Sequence, residues 1–548
     1  VTTTQEFLAS DDNKIVLVEL EYHNGTSMQV LYISNSQYVL PVGESYTNSL
    51  GNTVDNIYYE DILASIPVIS SAIDQSAGIG NIEILNAEGD FDSYLDYAWE
   101  GHTVSVFIGA PNWARSAFIE IFSGKATALT APTLSTLSLN MVDKQEELNV
   151  KTQEALLDQS YVDTKLLAAN TAGDFTANVT GSPSSYPHAW NHLTGVIPEG
   201  SINKHIPICL GKCFNIEPVL IDYYNHVYQI HEDDIASVSE VRANGVVLDV
   251  SQYEVSVSTG LLRLLDHDAG AQITCDVIGT TTRGGGYDSG LIVTSYSAAQ
   301  LIEWFVLEKT TLTASDIDND YFNNSTGFTN TSELGIYINE EDNVLNTINS
   351  IISSVGGYAR FNRSNNKLQI IVFLDPSGET SVLSIGEDEI IERGISLQEI
   401  ELPFKAINIG YKRNWTVQDS GAIAGSVFSS NIDNINFIDQ ITTEYSNLYT
   451  VTAVTTAKYP LAKEKEQIPT LIYAKVDAQT ELDRRSTLRS VKRFIYQIST
   501  IATPFSISIG DVVTITHSRY GLDSGVKCLV VGMREHPLNN RIILEVWK

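Results

Sequence analysis

Lys14-Ile15-Val16-Leu17-Val18-Glu19-Leu20-Glu21-Tyr22 is the stretch on which the fold turns. It is rich in β-branched and aromatic side chains and contains neither Gly nor Pro, which reads as a strand. Gly25 follows as a turn signal, and Met28–Ile33 is a second apolar run. Working outward, Asn81–Leu85 alternates before Asn86–Gly89 turns the chain. His102–Ile108 alternates again, Phe118–Phe122 follows, and Leu134–Val142 alternates apolar residues with Ser, Thr and Asn. A period of two marks strands with one wet face, which usually pair antiparallel. Residues 1–150 therefore read as one β region.

Beyond it the rhythm breaks twice. From Glu146 to about Thr194 a stretch rich in Ala, Thr, Ser, Gly and Pro reads as an extended connection. A second β region covers 195–280, with short runs at Pro218–Ile221, Val227–Ile230, Val238–Val241, Val246–Leu248, Tyr253–Val257, Leu261–Leu265 and Ile273–Ile278. Asn244-Gly245 is a hairpin signal, because both residues tolerate positive φ. Thr281–Gly290 is a Gly-rich linker. Helical spacing then appears in Ser297–Glu308, at Leu301, Ile302, Phe305 and Val306. It recurs in Asp342–Val355, where Gly356-Gly357 is the stop. Tyr358–Phe361 and Leu368–Phe373 read as a hairpin around Asn365-Asn366, completing an α+β domain at 290–395. The remainder, 396–548, is β again: Ala406–Tyr411, Ile495–Thr500, Val512–Thr516, Lys527–Val531 and Arg541–Trp547, with one helix within Lys475–Phe494.

The composition narrows the function. Lys plus Arg number 33 against 67 Asp plus Glu, a net charge of −34. Such a chain repels phosphate backbones, which argues against a tight nucleic-acid reader and would let DNA slide past without sticking. Acidic proteins of salty habitats share this balance. Four cysteines in 548 residues are too sparse for a disulfide scaffold. Val1–Ser10 is largely polar and unlike a signal peptide, and no apolar run approaches the ~18 residues of a membrane span. The expectation is a soluble protein made in a reducing cytoplasm, with no membrane-spanning segment.

Several stretches, taken in order, resemble the baseplate hub proteins of long-tailed bacteriophages. Gly80–Leu85, Asn86-Ala87-Glu88-Gly89 and Trp99-Glu100-Gly101-His102 resemble that family's first barrel; Ile121-Phe122-Ser123-Gly124 matches its next strand. Asp143-Lys144 and Leu156-Leu157-Asp158 resemble the exit from that barrel. Cys209-Leu210-Gly211 to Asn215, Pro218–Ile221 and Val227-Tyr228-Gln229-Ile230-His231 resemble a β insertion of hub-like tail proteins. Ile509-Gly510-Asp511-Val512-Val513-Thr514-Ile515-Thr516-His517 and Arg519–Gly525 resemble the final barrel. The resemblance implies a mainly β, multi-domain chain: a hub barrel at 1–150, a β insertion domain at 195–280, the α+β domain at 290–395 and a second hub barrel at 396–548. It also implies a homotrimer that adapts a six-fold tail tube to a three-fold tip, in a virion assembled in the host cytoplasm. Its partners would be distal tail and tube proteins, central fibre or tip proteins, and passing DNA that it does not bind tightly. A receptor- or glycan-binding tip protein and a cell-wall hydrolase are the alternatives.

No catalytic, cofactor-binding or metal site is expected. His188 and His192 stand four apart near Pro187, without His-Glu-x-x-His. Cys209 and Cys213 share a strand, where a four-residue step separates side chains by ~13 Å, and Cys275 and Cys528 are distant in sequence. That disfavours the iron–sulfur cluster some tail-tip proteins carry. Asp316-Ile317-Asp318-Asn319-Asp320 alternates oxygens like a calcium loop, but Tyr321 stands where Gly is needed. Gly279–Gly286 lacks the Gly-Lys-Ser/Thr ending of a phosphate loop, and no Gly-x-Ser-x-Gly occurs. Asp90, Asp92 and Asp96, or Glu340, Glu341 and Asp342, could supply a carboxylate pair; surface loops and helix N-termini account for them equally well. Arg484, Arg485, Arg489, Lys492 and Arg493 form a basic stretch that fits a solvated helix end or a contact with an acidic neighbour.

Overall fold

The computed structural model describes residues 7–8, 10, 12–65, 68–73, 75–175, 196–265, 270–279, 296–318, 322, 330–362, 365–428, 432–451, 457–501, 506–536, 538 and 541–548. The chain is mainly β and forms two compact units. The first holds residues 1–148, 358–403 and 491–548; the second holds 149–357 and 404–490.

In the first unit the opening run becomes strand Ile15–His23, central in a nine-stranded sheet. The hydrogen-bonded path runs Tyr38–Val39, Tyr58–Asp61, Met28–Ser34, Ile15–His23, Thr103–Gly109, Ile119–Thr133, Thr136–Asp143, Ile82–Leu85 and Leu63–Ser65. Val18 lies opposite Ile33 on one side and Val106 on the other. Its apolar residues occupy both faces because both faces are covered. Val16, Val18 and Leu20 enter one core with Ile82, Val104, Val106 and Leu139. Ile15 and Leu17 enter another with Tyr38, Leu40, Tyr59 and Phe118. Each fully buried aliphatic side chain contributes about 1.5–3 kcal/mol.

The unit's second sheet runs Leu383–Ile385, Val512–His517, Leu522–Glu535, Ile542–Trp547, Arg493–Thr500 and Ile390–Glu401. It gains a strand from far upstream. Ile69–Ala72 pairs antiparallel with Leu522–Glu535, in the register Ile69 to Glu535 and Ala72 to Gly532. The Arg360 guanidinium donates to the Ala72 carbonyl at 2.9 Å and ties down the end of that strand. Ile498, Val513, Val530, Leu544 and Val546 fill the core beneath.

In the second unit, strand Ile208–Ile216 lies between Ile273–Gly279 and Gly335–Ile338 in a five-stranded sheet. Backbones crowd here. A Cβ on Gly211, which has φ +70°, would stand 2.1 Å from the Leu334 carbonyl, so only glycine fits. A four-stranded sheet, Val219–Asp222, Val227–Gln229, Leu261–Leu264 and Tyr253–Ser256, packs through Val219, Ile221, Val227 and Leu261 against Val162, Leu166 and Ala169. Those three belong to helix Gln159–Ala172, where an extended connection was expected. Asp158 caps it by accepting from the Tyr161 N–H at 2.7 Å, and Gly173 ends it in a left-handed turn. Helices Ala298–Lys309 and Val344–Ser354 lie where periodicity placed them, capped by Ser297 and Asn343. Besides Lys475–Arg489, the later part of the chain forms helix Ile432–Thr442, which sequence reading missed.

Candidate functional site

The stretches Asn86–Gly89, Trp99–His102, Ile509–His517 and Arg519–Gly525 form turns and locks in the first unit. Gly89 closes the Asn86 turn at φ +79°. The Asn86 side chain accepts from the Phe91 N–H at 2.9 Å and donates to Asp92 at 2.8 Å. Trp99 donates its indole N–H to the Tyr94 carbonyl at 2.8 Å and stacks on Tyr22 with ring centroids 4.9 Å apart. Gly510 takes φ +92°, and its N–H donates to the Val530 carbonyl at 2.9 Å. Asp511 next to it accepts from the Ser508 N–H at 2.7 Å; burial pushes its carboxyl above the usual range. Tyr520 and Gly521, both at positive φ, turn the chain from Val512–His517 into Leu522–Glu535.

A buried ion pair missed by sequence reading ties the first sheet together. Glu19 falls on the Ile15–Leu17 face of its strand, where no water reaches. Arg115 answers it with Nη2 at 2.7 Å and Nε at 3.0 Å. The Tyr59 hydroxyl donates to Glu19 at 2.5 Å, and the guanidinium lies 3.6 Å from the centre of the Phe107 ring. Burial first, then the Glu19 charge, pushes the Tyr59 phenol far above its ordinary range. Both members are enclosed, so the cluster fixes geometry rather than offering a reactive group.

The surface around these locks carries apolar tips. The hairpin of Ile119–Thr133 and Thr136–Asp143 presents Leu134 at its turn, 99% exposed. Val42 in the Pro41–Gly43 turn is wholly exposed. Strand Ile390–Glu401 ends the second sheet's path, with Ile400 exposed.

The catalytic candidates scatter. Asp92 serves the Asn86 turn, and Asp90, Asp92 and Asp96 are exposed. Glu341 pairs with Lys151 at 2.9 Å, which holds its carboxyl below the usual range. Asp342 accepts from the Thr347 hydroxyl at 3.1 Å, beside the start of helix Val344–Ser354. Asp316 accepts from the Thr313 N–H at 2.9 Å as a turn cap; Asn319, Asp320 and Tyr321 lie outside the described residues. His188, His192 and the linker from 280 onward also lie outside them.

The cysteine expectation needs correction. Cys209 and Cys213 do share strand Ile208–Ile216, but their thiols lie close enough to interact rather than ~13 Å apart, and the Cys213 thiol donates to the Leu210 carbonyl at 3.6 Å. The left-handed kink at Gly211 breaks the two-residue alternation between them. Cys275 joins the same core, whereas Cys528 sits in the first unit. Burial pushes the Cys209 and Cys275 thiols well up, as it must for thiols buried in apolar surroundings. Among the described residues, no cluster of three or more His, Cys, Asp or Glu could hold a metal ion.

The basic stretch divides. Arg484 and Arg485 fold back on buried Glu481, both at Oε1, at 2.7 and 2.5 Å. Arg485 also donates to the Ser353 carbonyl at 2.6 Å, so these cations close the C-terminus of helix Val344–Ser354. Arg493 begins the next strand and pairs with Asp375 at 2.6 Å.

No protein-family profile matches the chain, and no curated protein matches it. Solved structures do. The tail protein from Neisseria meningitidis MC58 is 8% identical, covering 98% of this chain and 97% of its own, with a TM-score of 0.36. The 43 kDa tail protein of prophage MuSo2 from Shewanella oneidensis is 9% identical, over 97% of this chain and 98% of its own, with a TM-score of 0.36. Prophage tail protein gp18 from Listeria monocytogenes EGD-e is 9% identical, over 97% and 94%, with a TM-score of 0.36. All three are tail proteins. Among the described residues of this chain, no helix is long and apolar enough to cross a membrane.

Proposed function

We propose that this chain is a structural protein of a phage tail: a baseplate hub that assembles as a homotrimeric ring between the tail tube and the tip. One observation carries the reading. Two extended, mainly antiparallel sheets, built largely from opposite ends of the chain, belong to one compact unit, and Ile69–Ala72 from the N-terminal part pairs with Gly532–Glu535 in the second. Each subunit thus offers two sheet-built surfaces, and three subunits offer six, which meets a six-fold tube on a three-fold tip. Closed rotational symmetry stops assembly at a fixed number. The exposed tips at Leu134 and Val42 suit burial against neighbouring subunits or tail proteins. A net charge of −34 favours DNA passage without adhesion during genome ejection. The role is non-enzymatic.

The test is the mass and symmetry of the purified full chain by mass photometry and electron microscopy. A three-fold ring of three times 60.2 kDa is expected. A monodisperse monomer that stays so beside its tail partners would overturn the reading. In a zymogram on cell-wall material no clearing is expected; clearing that disappears in Glu340→Gln would favour a hydrolase instead.

A further inference from the structure

The second unit contains a cleft of about 1260 Å³, open to solvent and built from five separate stretches of the chain. It exceeds the ~300–1,000 Å³ of a usual small-molecule pocket, so its occupant is an extended one. We infer that this cleft binds an oligosaccharide that carries no acid groups.

Three features lead there. First, the cleft sets the carboxylates of Glu217, Glu340 and Glu341 beside the amides of Asn203, Gln272 and Asn339. An ionised carboxylate only accepts, so the ligand must be dense in donors. A sugar ring offers several hydroxyls where a peptide unit offers one N–H. Second, the acceptors are held in place from behind. The Gln272 side chain donates to Glu217 at 2.7 Å, and buried Gln418 donates to Gln272 at 3.1 Å. A donor chain anchored in the interior keeps Glu217 in one orientation before any ligand arrives. Third, flat aromatic surfaces lie among these acceptors. Trp415 lines the cleft with the Arg413 guanidinium 4.2 Å from its ring centre and Tyr337 against its edge at 6.3 Å. Tyr223, 53% exposed, stands at the hairpin after Val219–Asp222. Aromatic faces stack on the C–H faces of sugar rings while nearby oxygens take the hydroxyls.

The charge selects further. Three carboxylates share the lining with Lys204, His205 and His226, and Lys151 pairs with Glu341 from outside it, in a chain of net charge −34. Uronic acids, sialic acids and nucleic acids are repelled, and neutral or amino-sugar oligomers are admitted.

The test titrates the full chain with malto-, cello-, manno- and chito-oligosaccharides of four to six units, by calorimetry and saturation-transfer NMR. Oligogalacturonate and single-stranded DNA serve as acidic controls. At least one neutral or amino-sugar oligomer is expected to bind. Trp415→Ala and Glu217→Gln should each weaken it about ten-fold or more, a difference of about 1.4 kcal/mol. Tyr223→Ala, at a half-exposed position, provides a loss of affinity independent of folding. Silence across the panel, equal binding of the acidic controls, or undiminished binding by all three variants overturns the inference. The mass and symmetry of the assembly do not depend on these outcomes, so the two readings fail separately.

Discussion

Each unit buries an arginine, and the two differ in what they are set against. Arg115 in the first unit meets Glu19, whose side chain is 1% exposed, with tyrosines and Phe107 closing the cage. Arg242 in the second unit meets Asp276 through two bonds of 2.7 Å, and Asp276 keeps 14% of its surface in water. Arg493 extends the series: its partner Asp375 is 37% exposed. The guanidinium is the same throughout. The cost of losing it is set by how dry the carboxylate left behind would be.

The series is most easily broken at its dry end. Arg115→Met should destabilise the chain by about 3–5 kcal/mol, because Glu19 would be stranded without water. Combining it with Glu19→Leu should restore most of that loss in a urea melt. If single and double variants melt alike, the cage is not an ion-pair cage. Arg242→Met should cost less, about 1–3 kcal/mol, since Asp276 can be hydrated and still accepts from the Asn215 N–H at 2.9 Å. A loss equal to that of Arg115→Met would mean that the dryness of the stranded carboxylate does not set the cost.

Arg493→Met should cost least, about 1 kcal/mol, because Asp375 stays hydrated once the guanidinium is gone. Its signature is pH dependence. Burial alone would raise the Asp375 carboxyl, but the Arg493 and Ser377 hydrogen bonds hold it down at about 2, below its ordinary 3.8. A depressed carboxyl stabilises the fold above its unfolded value and loses that contribution as pH falls. The pair's share should fade between pH 4 and 2, and the wild-type advantage over Arg493→Met should vanish there.

These pairs also mark how far sequence reading reaches. Strand runs such as Ile15–His23 and Ile82–Leu85 were legible because burial on one or both faces writes itself into alternation or continuity. Glu19 was legible as part of a strand, but its partner lies 96 residues onward and leaves no local trace. Helix Gln159–Ala172 escaped because it buries only Val162, Leu166 and Ala169, a narrow stripe among Ala, Thr and Ser; its cap Asp158 and stop Gly173 were the available signals. The closeness of Cys209 and Cys213 depends on a left-handed Gly211 that strand geometry does not foresee. The cleft could not be read at all, since Glu217, Gln272, Glu340 and Trp415 are brought together by tertiary folding alone.

The pairing of Ile69–Ala72 with Gly532–Glu535 has a bearing on biosynthesis. At ~5–20 residues per second, a ribosome that has made the upstream strand needs roughly half a minute or more to deliver its mate. Through that interval the nascent chain holds an unsatisfied strand edge. Such a delay favours capture by folding helpers, or by sister chains on the same messenger, before the polypeptide is released.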